Sequence, residues 1–166
     1  MKVSLDAIKA LREQTNASMN EVRKALESAG GDPAKARELL RQRGADIAAT
    51  RQGRNAAQGR VETYLHHDGR IAAIVEVNCE TDFVARTAEF QQFCRDVAMQ
   101  VAAMSPACVE PAGGTTEEGG ALLAQSFIKD QGLTMGDLLK TLMAKTGENV
   151  VVRRFARFAV GETAHA

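Results

Sequence analysis

The side chains of this 166-residue chain best suited to covalent chemistry surround Cys79, which is followed by Glu80 and Asp82 and preceded by His66 and His67. A thiol nucleophile with an imidazole base needs sulfur and ring nitrogen within hydrogen-bond reach. The spacing opposes it. His67-Asp68-Gly69-Arg70 holds an Asp-Gly pair of the kind favoured in a two-residue hairpin turn. That turn places His66 opposite Ile71, with Cys79 further along the same strand, on the order of 25 Å away at ~3.3 Å per residue. Cys79 therefore reads as a small buried side chain. His165 lies near the end of the sequence and cannot be placed. The cysteines at 79, 94 and 108 form no Cys-x-x-Cys pair, so neither a disulfide framework nor a zinc site is expected. Nothing puts Glu80, Asp82 and Glu89 on one face, so no magnesium cage is expected. No phosphate-binding glycine loop is present, since Gly113-Gly114 and Gly119-Gly120 lack a strand-to-helix context. The expectation is a protein that is not an enzyme and holds no cofactor and no metal.

The remaining candidate is Phe83. An apolar strand, Ile71 to Val77, runs into Asn78-Cys79-Glu80, and Thr81-Asp82-Phe83-Val84 joins it to a helical pattern. Two readings stay open. Phe83 can plug the core where the chain turns, because most Phe are largely buried. It can instead be presented outward, because a few aromatic anchors dominate many protein interfaces.

Composition bounds the setting. The apolar content of 45% is globular, and the 21 basic and 21 acidic residues cancel. Their distribution does not: residues 1–60 carry 12 basic and 7 acidic side chains, and residues 61–166 carry 9 and 14. That asymmetry suggests two functional surfaces and keeps nucleic acid in view for the first. No apolar run approaches the ~20 residues of a membrane span. The start of the chain shows no apolar signal core. A cytoplasmic protein is expected, with no membrane partner.

The elements that must position these residues can be read in order. Ser4 can cap a first helix carrying Leu5, Ile8 and Leu11 on one face. Ser18-x-x-Glu21 is a capping box for a second helix, with Met19, Val22, Ala25, Leu26 and Ala29 apolar, and Gly30-Gly31 ends it. Asp32-Pro33 starts a third helix that Gly44 is expected to end. Residues 1–45 thus form a three-helix bundle and residues 46–60 a basic linker. Residues 61–166 form an α+β domain. Its hairpin sets Thr63 against Ile74 and Leu65 against Ala72. Thr87 caps a long helix with Phe90, Phe93, Val97, Val101 and Met104 facing inward, and Pro106 ends it. Residues 105–121, rich in Gly and Pro, read as a loop. Thr134-x-x-Asp137 opens a further helix ending at Gly147. Val150 to Val160 is a strand whose alternation slips at Arg153-Arg154, which a β-bulge would repair. The fold class is α+β: an antiparallel sheet of about three strands covered by two helices, behind the helical bundle.

Three stretches carry a resemblance. Asn78-Cys79-Glu80-Thr81-Asp82-Phe83-Val84-Ala85-Arg86 resembles the signature of the translation elongation factor Ts family. Leu11 to Met19 with Lys24-Ala25-Leu26 resembles its N-terminal signature, and Gly147 to Phe155 its C-terminal strand. The resemblance covers about three quarters of the chain and implies a ubiquitin-associated-like bundle. It also implies nucleotide exchange on elongation factor Tu, and a homodimer as in short members. By its implication Phe83 enters the partner's nucleotide-binding domain and disturbs its magnesium region. Thr81, Asp82 and Val84 belong with it to the partner-binding loop, Asp82 holding the loop or contacting the partner, and Arg12, Met19, Asn20 and Arg23 contact the partner as well. Asn20 departs from the second Met of many relatives, and Arg23 stands where Lys is common. The chain also lacks a helical insertion near 105–126 that the family usually carries. Two other classes compete. One is a basic bundle binding nucleic acid, disfavoured by the lack of Phe, Tyr or Trp in residues 1–60. The other is a peptide-binding adaptor that does not promote exchange.

Overall fold

A computed structural model describes residues 3–15, 17–110 and 120–162. It divides into two compact units, residues 1–53 with 140–148 and residues 54–139 with 149–166.

The first unit begins with α1 (Leu5–Thr15), α2 (Met19–Ser28) and α3 (Pro33–Arg51). Local signals set their starts. Ser4 Oγ accepts from Ala7 N at 3.2 Å, and Ser18 and Glu21 form the expected reciprocal box. Asp32 accepts from the N–H groups of Ala34 and Lys35 ahead of Pro33. Each cap satisfies helix N–H groups that have no intrahelical partner. Ile8, Leu11, Val22, Ala25, Leu26 and Ala36 make the core of the three helices. Met19 is not in it; it is 39% exposed. The helix expected to stop at Gly44 continues to Arg51. Gly44 is buried, and a Cβ there would sit 3.9 Å from Ala144 Cβ. The glycine is therefore not a stop, and tertiary packing overrides its poor helix propensity. The stretch read as a linker is correspondingly short, because a strand begins at Gln58.

The second unit is built on a three-stranded antiparallel sheet in the order β1 (Gln58–Leu65), β2 (Ile71–Cys79), β3 (Val151–Ala159). The hairpin register is the expected one, Thr63 opposite Ile74 and Leu65 opposite Ala72, but the two-residue Asp68-Gly69 turn is not formed: Gly69 N donates to His66 O at 2.8 Å, so residues 67–70 make a four-residue loop with Gly69 at positive φ. Gly59 admits no side chain: a Cβ would lie 2.2 Å from Val77 O, where the strands cross closely. Between β2 and β3 the register shifts so that Glu76 pairs with Arg154 and Val77 with Val152, which leaves Arg153 as the extra residue of a bulge at the Arg pair. The bulge returns Phe155 to the face of Val152; Phe158 stays on the opposite face and is 69% exposed.

After a four-residue helix, α4 (Asp82–Ala85), comes α5 (Ala88–Met104), which covers the face of β2 bearing Ala73, Val75, Val77 and Cys79. Thr87 caps α5 through the Phe90 N–H at 3.3 Å. Phe90, Phe93, Val97 and Val101 are buried as the spacing predicts, whereas Met104 is exposed. Ser105, in a left-handed conformation, ends the helix one residue before Pro106. The ends of the expected loop are tied together: Ala107 N donates to Gly120 O and Leu122 N to Cys108 O. Its middle, 111–119, lies outside the described residues, as do Asn16 and residues 163–166.

A two-stranded hairpin, residues Ser126–Phe127 and Asp130–Thr134, was not expected from the sequence. It is fastened to α5 by the fully buried Gln100. The Nε2 of Gln100 donates to Ser126 O at 3.0 Å, and its Oε1 accepts from Ile128 N at 3.0 Å. The last helix, α6 (Met135–Thr146), starts from the predicted Thr134–Asp137 box.

Candidate functional site

The turn from β2 into α5 presents an aromatic side chain, Phe83, to solvent. Three local bonds shape it. Cys79 Sγ donates to Thr81 O at 3.1 Å. Thr81 is the N-cap of α4, its Oγ1 accepting from Val84 N at 3.4 Å. Thr87 Oγ1 donates to Val84 O at 2.8 Å while also capping α5. Two threonines thus chain the short helix to the long one. Val84 is half-buried beneath, and Asp82 forms an ion pair with Arg86 at 2.9 Å on the exposed side. Phe83 points away from the core and is 78% exposed. Of the two readings of Phe83, the core plug is excluded. An apolar side chain of that size held in water on a capped turn is a surface that a partner can bury.

The other residues singled out lie in the first unit. Arg12 is exposed on α1. Met19, Asn20 and Arg23 share the exposed start of α2, where Arg23 Nη2 donates to Asn20 Oδ1 at 3.0 Å. The capping box at Ser18–Glu21 fixes the turn that carries them.

The thiol and imidazole groups are kept apart. Cys79 pairs with Gln58 at one end of the hairpin, and His66 N donates to Ile71 O at the other. Cys79 and Cys94 are both buried. Burial and the Glu62 carboxylate push the Cys94 thiol up to about 12, so it carries no thiolate near neutral pH. Among the described residues, no group of three or more His, Cys, Asp or Glu could hold a metal ion, and no helix is long and apolar enough to cross a membrane.

A second surface went unread in the sequence. The side of the sheet away from α5 exposes Leu65, at 67%, with Val61, Ile74 and Phe158. At its middle Glu76 pairs with Arg154 at 2.7 Å. The signal was the alternation in β1, but it was ambiguous. Glu62 and Tyr64 take the half-buried side, Glu62 paired with Arg60 at 2.8 Å, and leave the apolar Val61 and Leu65 outside.

The sequence matches known proteins over most of its length. The sequence profile of the family described as "Elongation factor TS" matches residues 2–117 and 80–166. The Elongation factor Ts of Rubrobacter xylanophilus is 43% identical over 193 aligned positions, covering 95% of this chain and 99% of that protein. That of Carboxydothermus hydrogenoformans is 42% identical, covering 96% and 90%. That of Caldanaerobacter subterraneus is 40% identical, covering 96% and 98%. The 193 aligned positions exceed the 166 residues here, so the Rubrobacter protein carries residues that this chain lacks.

Proposed function

The chain belongs to the elongation factor Ts family, and from that premise we propose that it is a guanine-nucleotide exchange factor for elongation factor Tu, acting in the cytoplasm. It catalyses no covalent step. It binds the GDP-bound partner, speeds GDP release and departs when GTP binds. The physical requirement is differential binding: a factor that weakens nucleotide on its partner is weakened by nucleotide to the same degree.

The observation that carries this reading is the exposure of Phe83 on a turn whose other side chains are tied down. Phe83 enters the partner's nucleotide-binding domain and disturbs the region that holds its magnesium ion. Phosphate charge is then less well neutralised, and nucleotide leaves faster. Magnitudes require more than this one ring. A thousandfold acceleration needs about 4 kcal/mol off the barrier, and burying one Phe supplies ~2–3 kcal/mol. Arg12, Met19, Asn20 and Arg23 supply a second contact that holds the complex, and the exposure of Met19 outside its core supports that role.

The outer sheet face is where two copies pair. It is apolar at both ends, and its one central charge pair is internally neutralised, so it can meet its own copy without burying an unpaired charge.

The test is release of a fluorescent GDP analogue from elongation factor Tu, with no factor, with this protein and with Phe83→Ala. Acceleration that falls at least about tenfold in the variant, with binding retained, is expected. No acceleration by the intact protein overturns the reading. The basic bundle would then be tested for nucleic-acid binding that weakens steeply with salt.

A further inference from the structure

The Thr81–Val84 turn is short, and a four-residue helix does not hold itself in water. What stands behind it is a polar junction, buried at Asn149, half-buried at Glu80 and open to solvent at Arg54, assembled from three distant parts of the chain, all within the second unit. Glu80 immediately precedes the N-cap Thr81. Its Oε1 accepts from the backbone N–H of Asn149 at 2.7 Å. Its Oε2 lies 3.4 Å from Arg54 Nη1. Asn149 is 3% exposed, and its Nδ2 donates to Arg54 O at 2.6 Å. One residue before Cys79, Asn78 Nδ2 donates to Ala56 O at 3.2 Å. The segment entering β1 and the residue leading into β3 are therefore both bonded to the base of the turn.

The chemistry of the junction is directional. A carboxylate accepting from a backbone N–H and facing a guanidinium makes charge-assisted bonds, which are stronger and shorter than neutral ones. Burial of Asn149 raises the cost of breaking its bonds, because a group left behind there has no water to turn to. Phe83, by contrast, has nothing over it.

We infer that Glu80 and Asn149 are positioning residues for the exchange turn. Glu80, clamped by the Asn149 N–H and the Arg54 guanidinium, holds the base of α4 so that Phe83 is presented in one direction. The Asn149 side chain holds the Arg54 segment that completes the clamp. This inference rests on the exchange reading above for its consequence, but not for its structural content.

The experiment has two arms. The chain contains no Trp, so Phe83→Trp installs a single reporter at the turn. Its steady-state anisotropy is expected to fall when Glu80→Ala or Asn149→Ala is added, while far-UV circular dichroism stays unchanged. Unchanged anisotropy overturns the inference, whatever the exchange assay shows. In the exchange arm, Glu80→Ala is expected to slow GDP release about tenfold. Glu80→Gln, which keeps an acceptor for the Asn149 N–H, is expected to stay within about threefold of the parent. In a Phe83→Ala background, adding Glu80→Ala is expected to change the rate less than about twofold, because the two residues act in series. Equal losses in both backgrounds indicate a general loss of fold and overturn the positioning role. No acceleration by the unmodified protein is a failure of the exchange reading alone, and the anisotropy arm then decides the positioning claim by itself.

Discussion

At the scale of single residues, environment separates groups that share a chemistry. Phe83 and Phe90 sit seven positions apart, the first in solvent and the second fully buried, because one lies on the outer side of a capped turn and the other on the inner face of a long helix. The three thiols divide in the same way. Cys79 and Cys94 are buried and Cys108 is half-buried. A thiol-reactive disulfide reagent at pH 8 is expected to modify Cys108 first, with Cys79 and Cys94 at least about a hundredfold slower, at the rate of local opening. Three equally fast thiols would contradict the packing of α5 on the sheet. The same burial carries a pH consequence. The Cys94 thiol is raised from an ordinary 9.0 to about 12 in the fold. Its contribution to stability is present in full below pH 9 and is lost as pH climbs from there toward 12. Urea midpoints measured at pH 8 and pH 10 are expected to fall, and to fall less in Cys94→Ala.

At the scale of elements, the informative case is Gln100. It sits on the buried face of α5 and bonds to the backbone of the hairpin at 126–134. Periodicity describes a helix by its apolar residues, so a buried amide on the apolar face escapes it; only the hairpin's backbone groups explain it. Gln100→Leu would leave Ser126 O and Ile128 N–H without their partner. A loss of about 1–3 kcal/mol is expected, read as a lower urea midpoint with faster amide exchange confined to the hairpin. Exchange that quickens uniformly would place the amide's role elsewhere. Helix starts, in contrast, were plain in the sequence. Ser4, Ser18, Asp32, Thr87 and Thr134 all cap as their types predict, because a cap is a bond between near neighbours. Stops were less legible. Gly30-Gly31 ends α2, but Gly44 ends nothing, since it is buried against Ala144.

At the scale of the whole molecule, the unoccupied sheet face bears on assembly. If two copies pair there, Phe158→Glu places a charge in an apolar interface and is expected to weaken the dimer at least about tenfold. Sedimentation equilibrium at micromolar concentration checks this, with a monomeric parent protein sinking the pairing. Turn-borne Phe83 is on another part of the same unit, so the variant is expected to keep exchange activity if one copy suffices.

By itself the sequence determined whatever depends on neighbours a few residues apart: the caps, the hairpin register though not its turn type, the bulge at the Arg153-Arg154 pair, and the signature whose resemblance the comparisons support. Each is a short-range bond or a period, and both are written in local order. Only the tertiary structure decided which face of β1 is covered, that Phe83 is outside, and that Glu80 meets an Asn149 backbone N–H 69 residues later. Those outcomes depend on which surfaces meet when distant segments pack. Burial, and the cost of leaving a polar group unpaired inside it, exists only once they have met.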